Sequence, residues 1–228
     1  MTTSKHVVIL IHGIGNPKTG WSNIASLNEP NITFIEFRYE DIFDNQWKRR
    51  FLSKLLSGAA AFAVFYFGTP RLATVSSQVM RQLEDTIGDI FSYFLNRQVR
   101  QAIQTRLATL LKRFPSAILM AHSLGSIVAY ETLHNHKTIS NQVTLITMGS
   151  PLGSPVLATI VKKMLSVPVK NRPSVAGWFN FYSPLDLLSG VIKNLGCRRE
   201  DQYELKTLHA FHPYLHKAFE VLREKEIL

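Results

Sequence analysis

Residues 117–126 read Ala-Ile-Leu-Met-Ala-His-Ser-Leu-Gly-Ser, an apolar run that delivers Ser123 into a bend flanked by small residues. A serine hydroxyl is a weak nucleophile until something holds it exposed and removes its proton. The nucleophile-elbow pattern is G-x-S-x-G on a strand-to-helix turn, where small neighbours tolerate the strained bend and let adjoining elements pack closely. Here it reads Ala121-His122-Ser123-Leu124-Gly125, with alanine in place of the first glycine. The alternative role for such a serine is to cap the helix that follows. As a nucleophile, Ser123 needs a general base, an acid to orient that base, and donors for a developing oxyanion. Histidine is the natural base near neutral pH. The stretch "LHAFHPYLH" carries His209, His212 and His216.

These residues must be positioned by a scaffold, and the hydrophobic pattern predicts one. Val7–Ile11 is an unbroken β-branched and aliphatic run, as expected of a central strand buried on both faces. Ile32–Tyr39, Ala117–Ala121, Val143–Met148 and Trp178–Tyr182 are further strand candidates. Val99, Ile103, Leu107 and Leu110 form one apolar helical stripe ending before Pro115. Ile127, Val128 and Leu133 mark a second helix, with Gly125, Ser126 and Ala129 permitting close approach to the sheet. Leu215, Ala218, Phe219 and Leu222 mark a C-terminal helix whose start is expected at Pro213. Strands alternating with helices imply an α/β fold, with a mostly parallel central sheet flanked by helices.

The stretch Asp41–Leu95 is too long for one crossover and is expected to be a helical insertion, a cap or lid, before the nucleophile strand. Inside it, Leu55–Gly68 carries no charge and follows Lys48-Arg49-Arg50. A spanning helix needs about 20 apolar residues, so this stretch better suits a core or cap helix over the site, or a membrane-surface element. Residues 47–68 are thus the candidate for peripheral membrane contact.

Composition narrows the classes. The 228 residues hold 26 Lys plus Arg against 16 Asp plus Glu, a net charge of +10. The positive charge is dispersed and no nucleic-acid-binding motif accompanies it, which argues against a nucleic-acid partner. Cys197 is the single cysteine, so no internal disulfide or cysteine metal cluster forms, and a reducing compartment fits. The apolar run near the N-terminus leads directly into His12-Gly13, which favours a first strand over a signal peptide and makes a cytoplasmic location the expectation.

In the order "VVILIHGIGNP", "AHSLGS", "TLITMGSPLGSP", "WFNFYSPLDLL" and "HPYL", the chain resembles the α/β-hydrolase family in its lipase and esterase-like branch. The resemblance spans nearly the whole chain and implies one α/β-hydrolase domain over residues 1–228. It implies oxyanion donors from the backbone N–H groups of Leu124 and of Ile14 in the loop after the first strand. Chain order places the acid after a strand downstream of the elbow, which selects Asp186, with Glu200 and Asp201 as substitutes. It places the base last, on a loop before the final helix, often with an aromatic two residues later. His212-Pro213-Tyr214 matches that; His209 is the main competitor, and His216 is expected on the solvent face of the helix. By the same rule His12 is a structural strand-end residue.

The implied activity is that of a serine hydrolase with a Ser123–His212–Asp186 triad, cleaving small-molecule or lipid-like acyl esters with no metal or organic cofactor. Thioesterase, acyltransferase, amidase and peptidase chemistry share that triad. From another class, a degenerate hydrolase scaffold binding membrane surfaces through residues 47–68 is the competing expectation.

Overall fold

A computed structural model of the chain describes residues 6–13, 30–42, 88–167, 172–209 and 211–228. The chain divides into two compact units, Met1–Arg38 with Ile103–Leu228, and Tyr39–Ala102.

The first unit is built on a six-stranded sheet in the order β2-β1-β3-β4-β5-β6. The strands are β1 (His6–Ile11), β2 (Ile32–Phe37), β3 (Ile118–His122), β4 (Thr144–Met148), β5 (Gly177–Tyr182) and β6 (Gln202–Glu204). Every pairing is parallel. The helices are α1 (Arg97–Arg113), α2 (Leu124–Asn135), α3 (Lys137–Ser140), α4 (Ala158–Met164) and α5 (Phe211–Glu224). This parallel sheet with flanking helices is the α/β fold expected from the sequence.

Burial on both faces explains why β1, β3 and β4 are almost wholly apolar. Val8, Leu10, Ile118, Met120, Ile146, Met148, Phe179 and Phe181 form a core cluster with Tyr214, Leu215, Ala218, Phe219 and Leu222 of α5. These sheet residues alternate along their strands, as the two-residue period of a pleated strand requires. α2 packs on β1, β3 and β4. It is buried along almost its whole length because it starts inside the molecule, at the end of β3. Its buried Glu131 accepts hydrogen bonds from Gln104 Nε2 of α1 at 3.0 Å and from Ser166 N at 2.9 Å. A buried carboxylate without such partners would be costly.

Two helical expectations are corrected. On α1 the stripe runs through Ile103 and Leu107 to Leu111, while Leu110 is half-buried. α5 begins at Phe211, before Pro213. Phe211 packs on the core cluster and edge-on to His122, which pulls the chain into helical register earlier than Pro213 suggests. Proline is accommodated there because the N–H groups of a first turn lack intrahelical acceptors anyway. The short β6, α3 and α4 were not anticipated.

In the second unit, residues 88–95 are helical and Glu40–Ile42 form a 3-10 turn. Tyr93 and Phe94 meet edge-to-face, and the Arg100 guanidinium lies 4.9 Å from the Phe94 ring centre. The remainder of the stretch read as an insertion, including residues 47–68, lies outside the described residues.

Candidate active site

Ser123 joins β3 to α2 with φ 52° and ψ −126°. A non-glycine residue there is strained by about 1–3 kcal/mol, and such strain persists only when the surroundings over-determine it. Three contacts do so. Ser123 N–H donates to Met148 O at 3.0 Å, its carbonyl accepts from Ser126 Oγ at 2.6 Å, and Ser126 Oγ is in turn 2.6 Å from Ser150 Oγ. The Ser123 hydroxyl makes no capping hydrogen bond to α2. The capping alternative therefore fails.

Two glycines make room for the elbow. A Cβ on Gly13 would lie 2.7 Å from Ser123 Cβ and 3.1 Å from its Oγ. A Cβ on Gly125 would lie 2.8 Å from the carbonyl oxygens of both Ile11 and His12. The end of β1 thus touches the start of α2, and only hydrogen fits between them. At the position where the elbow pattern has its first glycine, Ala121 sits fully buried in the sheet opposite Ile11 and Thr147. Leu124 is the first residue of α2, so its backbone N–H has no intrahelical acceptor and points from a helix N-terminus, a favourable site for negative charge. Ile14 lies outside the described residues; Gly13, just before it, is the residue seen against Ser123.

Asp186 is buried on the loop after β5. Its N–H donates to Ser183 O at 3.1 Å, and its carbonyl accepts from Ser189 N at 3.0 Å. The loop is held to the one after β4 by Ser154 Oγ, which donates to Leu187 O at 2.7 Å. Gly153 and Gly190 pack backbone on backbone beside it: a Cβ on Gly153 would lie 2.1 Å from Gly190 O. The carboxylate accepts Leu188 N–H on Oδ1 at 2.9 Å. Its Oδ2 accepts His209 Nδ1–H at 2.7 Å and the Tyr214 hydroxyl at 2.9 Å. Burial by itself would raise the Asp186 pKa. The hydrogen bond and charge of His209, with the Leu188 N–H and Tyr214 hydroxyl, bring it below the usual value.

Because an ionised carboxylate only accepts, His209 carries its proton on Nδ1, leaving Nε2 as the basic nitrogen. That Nε2 is buried without a hydrogen-bond partner. The ring lies over Gly149, whose positive φ of 56° and missing side chain clear the space: a Cβ there would be 3.1 Å from His209 Cε1 and 3.2 Å from His122 Nε2. Gly149 follows Met148, the residue whose carbonyl holds Ser123. The imidazole is thereby set beside the elbow. The His122 and His209 ring centres are 4.8 Å apart. Burial first, then the neighbouring His209 and His12, lower the His122 pKa well below the ordinary value, so its ring is neutral at neutral pH.

The structure pairs Asp186 with His209, not with His212. His212 sits half-buried in the first turn of α5, edge-on to Phe211. Since α5 starts at Phe211 and not at Pro213, the histidine on the loop before the final helix is His209. His216 is exposed, as expected. Among the substitute acids, Asp201 lies 3.9 Å from Lys225 and Glu200 is exposed. His12 is buried at the end of β1, its Nδ1 hydrogen bonded to the Gly13 carbonyl. The sequence pattern marks neither His122 nor Gly149; a glycine directly after a strand is the available signal for the latter. No group of three or more His, Cys, Asp or Glu side chains is arranged to hold a metal among the described residues.

Residues 2–167 match the family model described as PGAP1-like alpha/beta domain. The chain belongs to that family. The PGAP1-like match covers β1 to β4, Gly13, Ser123 and Leu124, while Asp186, His209 and Tyr214 lie beyond it. The PGAP1-like family is α/β-hydrolase-like, which fits the parallel sheet and points to hydrolase-type activity. Comparisons with curated proteins and with solved structures give no match. No helix among the described residues of this PGAP1-like chain is long and apolar enough to cross a membrane.

Proposed function

We propose that the protein is a serine hydrolase that cleaves carboxylic esters through Ser123, His209 and Asp186. The observation that carries this reading is the 2.7 Å hydrogen bond from His209 Nδ1 to Asp186 Oδ2, which leaves Nε2 without a partner and free to serve as a base for Ser123. Ser123 Oγ attacks the ester carbonyl carbon while His209 Nε2 takes its proton, and Asp186 stabilises the resulting imidazolium. The Leu124 N–H binds the oxyanion, and the family resemblance assigns the second donor to Ile14; one such donor is worth about 3–4 kcal/mol in the transition state. Collapse expels the alcohol, which takes the proton from His209, and water repeats the sequence to release the acid. Catalytic hydrogen bonds often tighten only with substrate bound, so the open Nε2 is compatible with this role.

An apolar acyl group suits the surroundings. Leu185 and Leu208, each immediately before a proposed catalytic residue, are both 59% exposed, and they are among the few large hydrophobic side chains so exposed in the described residues. Apolar side chains next to the proposed catalytic residues suit a ligand with an apolar acyl group.

The test is fluorophosphonate labelling of the wild type beside Ser123→Ala, followed by turnover of p-nitrophenyl esters of increasing chain length. Label on the wild type, none on the variant, and rising kcat/KM from acetate to medium-chain esters are expected. Label persisting in Ser123→Ala sinks the nucleophile assignment, and acetate as the best substrate sinks the acyl preference.

A further inference from the structure

We propose that Tyr214 is a positioning residue of the catalytic apparatus, its hydroxyl locking the Asp186 carboxylate in the orientation and charge state that His209 requires. The proposal rests on the reading of Ser123, His209 and Asp186 as a triad. Tyr214 is fully buried on the face of α5 that packs on the sheet, where the other buried residues are Leu215, Ala218, Phe219, Val221 and Leu222. Phenylalanine would fill that space equally well, so packing does not account for the hydroxyl. Its two partners both belong to the loop of the acid. The oxygen lies 2.9 Å from Asp186 Oδ2 and 3.1 Å from Ser189 Oγ, and Ser189 Oγ accepts the Ser183 N–H at 3.1 Å.

The direction of each bond follows from chemistry. An ionised carboxylate has no proton to give, so Tyr214 donates its single hydroxyl proton to Oδ2, and its oxygen is left to accept from Ser189. Burial, then the charge of Asp186, raise the phenol pKa, so the proton stays on Tyr214 throughout. Oδ2 then has two donors, His209 and Tyr214, and Oδ1 has the Leu188 N–H. With both oxygens pinned, the carboxylate cannot turn about its Cβ–Cγ bond when the imidazole gains and loses its proton. Tyr214 also disperses part of the negative charge facing His209. Among the described residues, His122 also faces His209; it is neutral and contributes no countercharge.

Tyr214→Phe in the full chain tests this. The variant is expected to melt within a few degrees of the wild type and to keep KM within about twofold, with kcat down about tenfold, as for loss of one hydrogen bond to a charged group. The acid limb of kcat/KM moves upward in pH, because the carboxylate left with one donor fewer holds the imidazolium more strongly. The low-field proton resonance of the His209 Nδ1–H, observed without substrate, shifts between wild type and variant. Unchanged kcat and an unmoved acid limb overturn the proposal, as does an unchanged resonance. If the wild type neither labels nor turns over esters, the triad reading fails while the resonance still reports on Tyr214. Should Tyr214→Phe not fold, Ser189→Ala keeps the ring and removes the donor to its oxygen. A smaller fall in kcat and a shifted resonance are then expected, and wild-type values for both overturn the proposal.

Discussion

His209 Nδ1 and Asp186 Oδ2 meet at 2.7 Å although they lie on separate loops, one after β5 and one before α5. Replacing His209 by alanine is expected to lower kcat by about a thousandfold or more, since the proposed base cannot be spared. His212→Ala is expected to stay within about threefold of wild type. Rates of p-nitrophenyl ester hydrolysis for the two variants decide between the histidines; a larger loss in His212→Ala would reverse the assignment.

Asp186→Asn keeps the size of the side chain but presents an amide that forces the wrong tautomer on the imidazole. A fall in kcat of about ten-thousandfold is expected. Stability changes with a definite sign too. The folded-state pKa of Asp186 lies below its unfolded value. Its contribution is therefore fully present above the ordinary carboxylate range and is lost as pH falls through the lower folded value. Urea titrations down the acid range should show this loss in the wild type and its absence in Asp186→Asn.

His122 predicts a second pH effect. Burial, with the neighbouring His209 and His12, depresses its folded pKa, so below an unfolded pKa of about 6.5 the unfolded chain binds a proton that the folded chain refuses. Stability then falls with acidification at up to about 1.4 kcal/mol per pH unit from this one site. His122→Phe, which keeps the aromatic contacts with Phe211 and Tyr214, should flatten the stability profile between neutral and mildly acid pH. An undiminished slope in that variant counts against the assignment.

Gly149→Ala brings a methyl group to within 3.2 Å of both imidazoles at a φ of 56°. The backbone strain alone costs about 1–2 kcal/mol, and His209 must move to accept the methyl. A lower melting temperature together with a fall in kcat larger than that in KM is expected. Activity equal to wild type would show that His209 has room to spare.

Gly125→Ala tests the scaffold beneath the site. Its Cβ would stand 2.8 Å from two backbone carbonyl oxygens at the end of β1 and from Ile11 Cγ2, and the backbone oxygens cannot swing aside. α2 must shift from the sheet and carry Ser123 with it. Destabilisation of several kcal/mol is expected, on the scale of overpacking in a close-packed core, and is read from urea midpoints.

Local sequence settled a good deal of this protein. Mostly apolar runs, aliphatic in β1, β3 and β4 and aromatic in β5, mark buried strands whatever packs on them, so these four were legible within a residue or so. The elbow was legible as well, because small residues around a serine after an apolar run leave a mark in the sequence itself. Asp186 could be selected by its place after β5. Tertiary structure alone decided which histidine meets Asp186. His209 and His212 are chemically identical and three residues apart, and periodicity marks the buried face of a helix but not the point where it starts. That point was fixed by Phe211 packing on the core and on His122, which drew His212 into the helix and left His209 on the loop facing the carboxylate. The same holds for Tyr214 and Gly149, whose meaning depends on which loops they touch, and such contacts between distant parts of the chain leave no trace in local pattern.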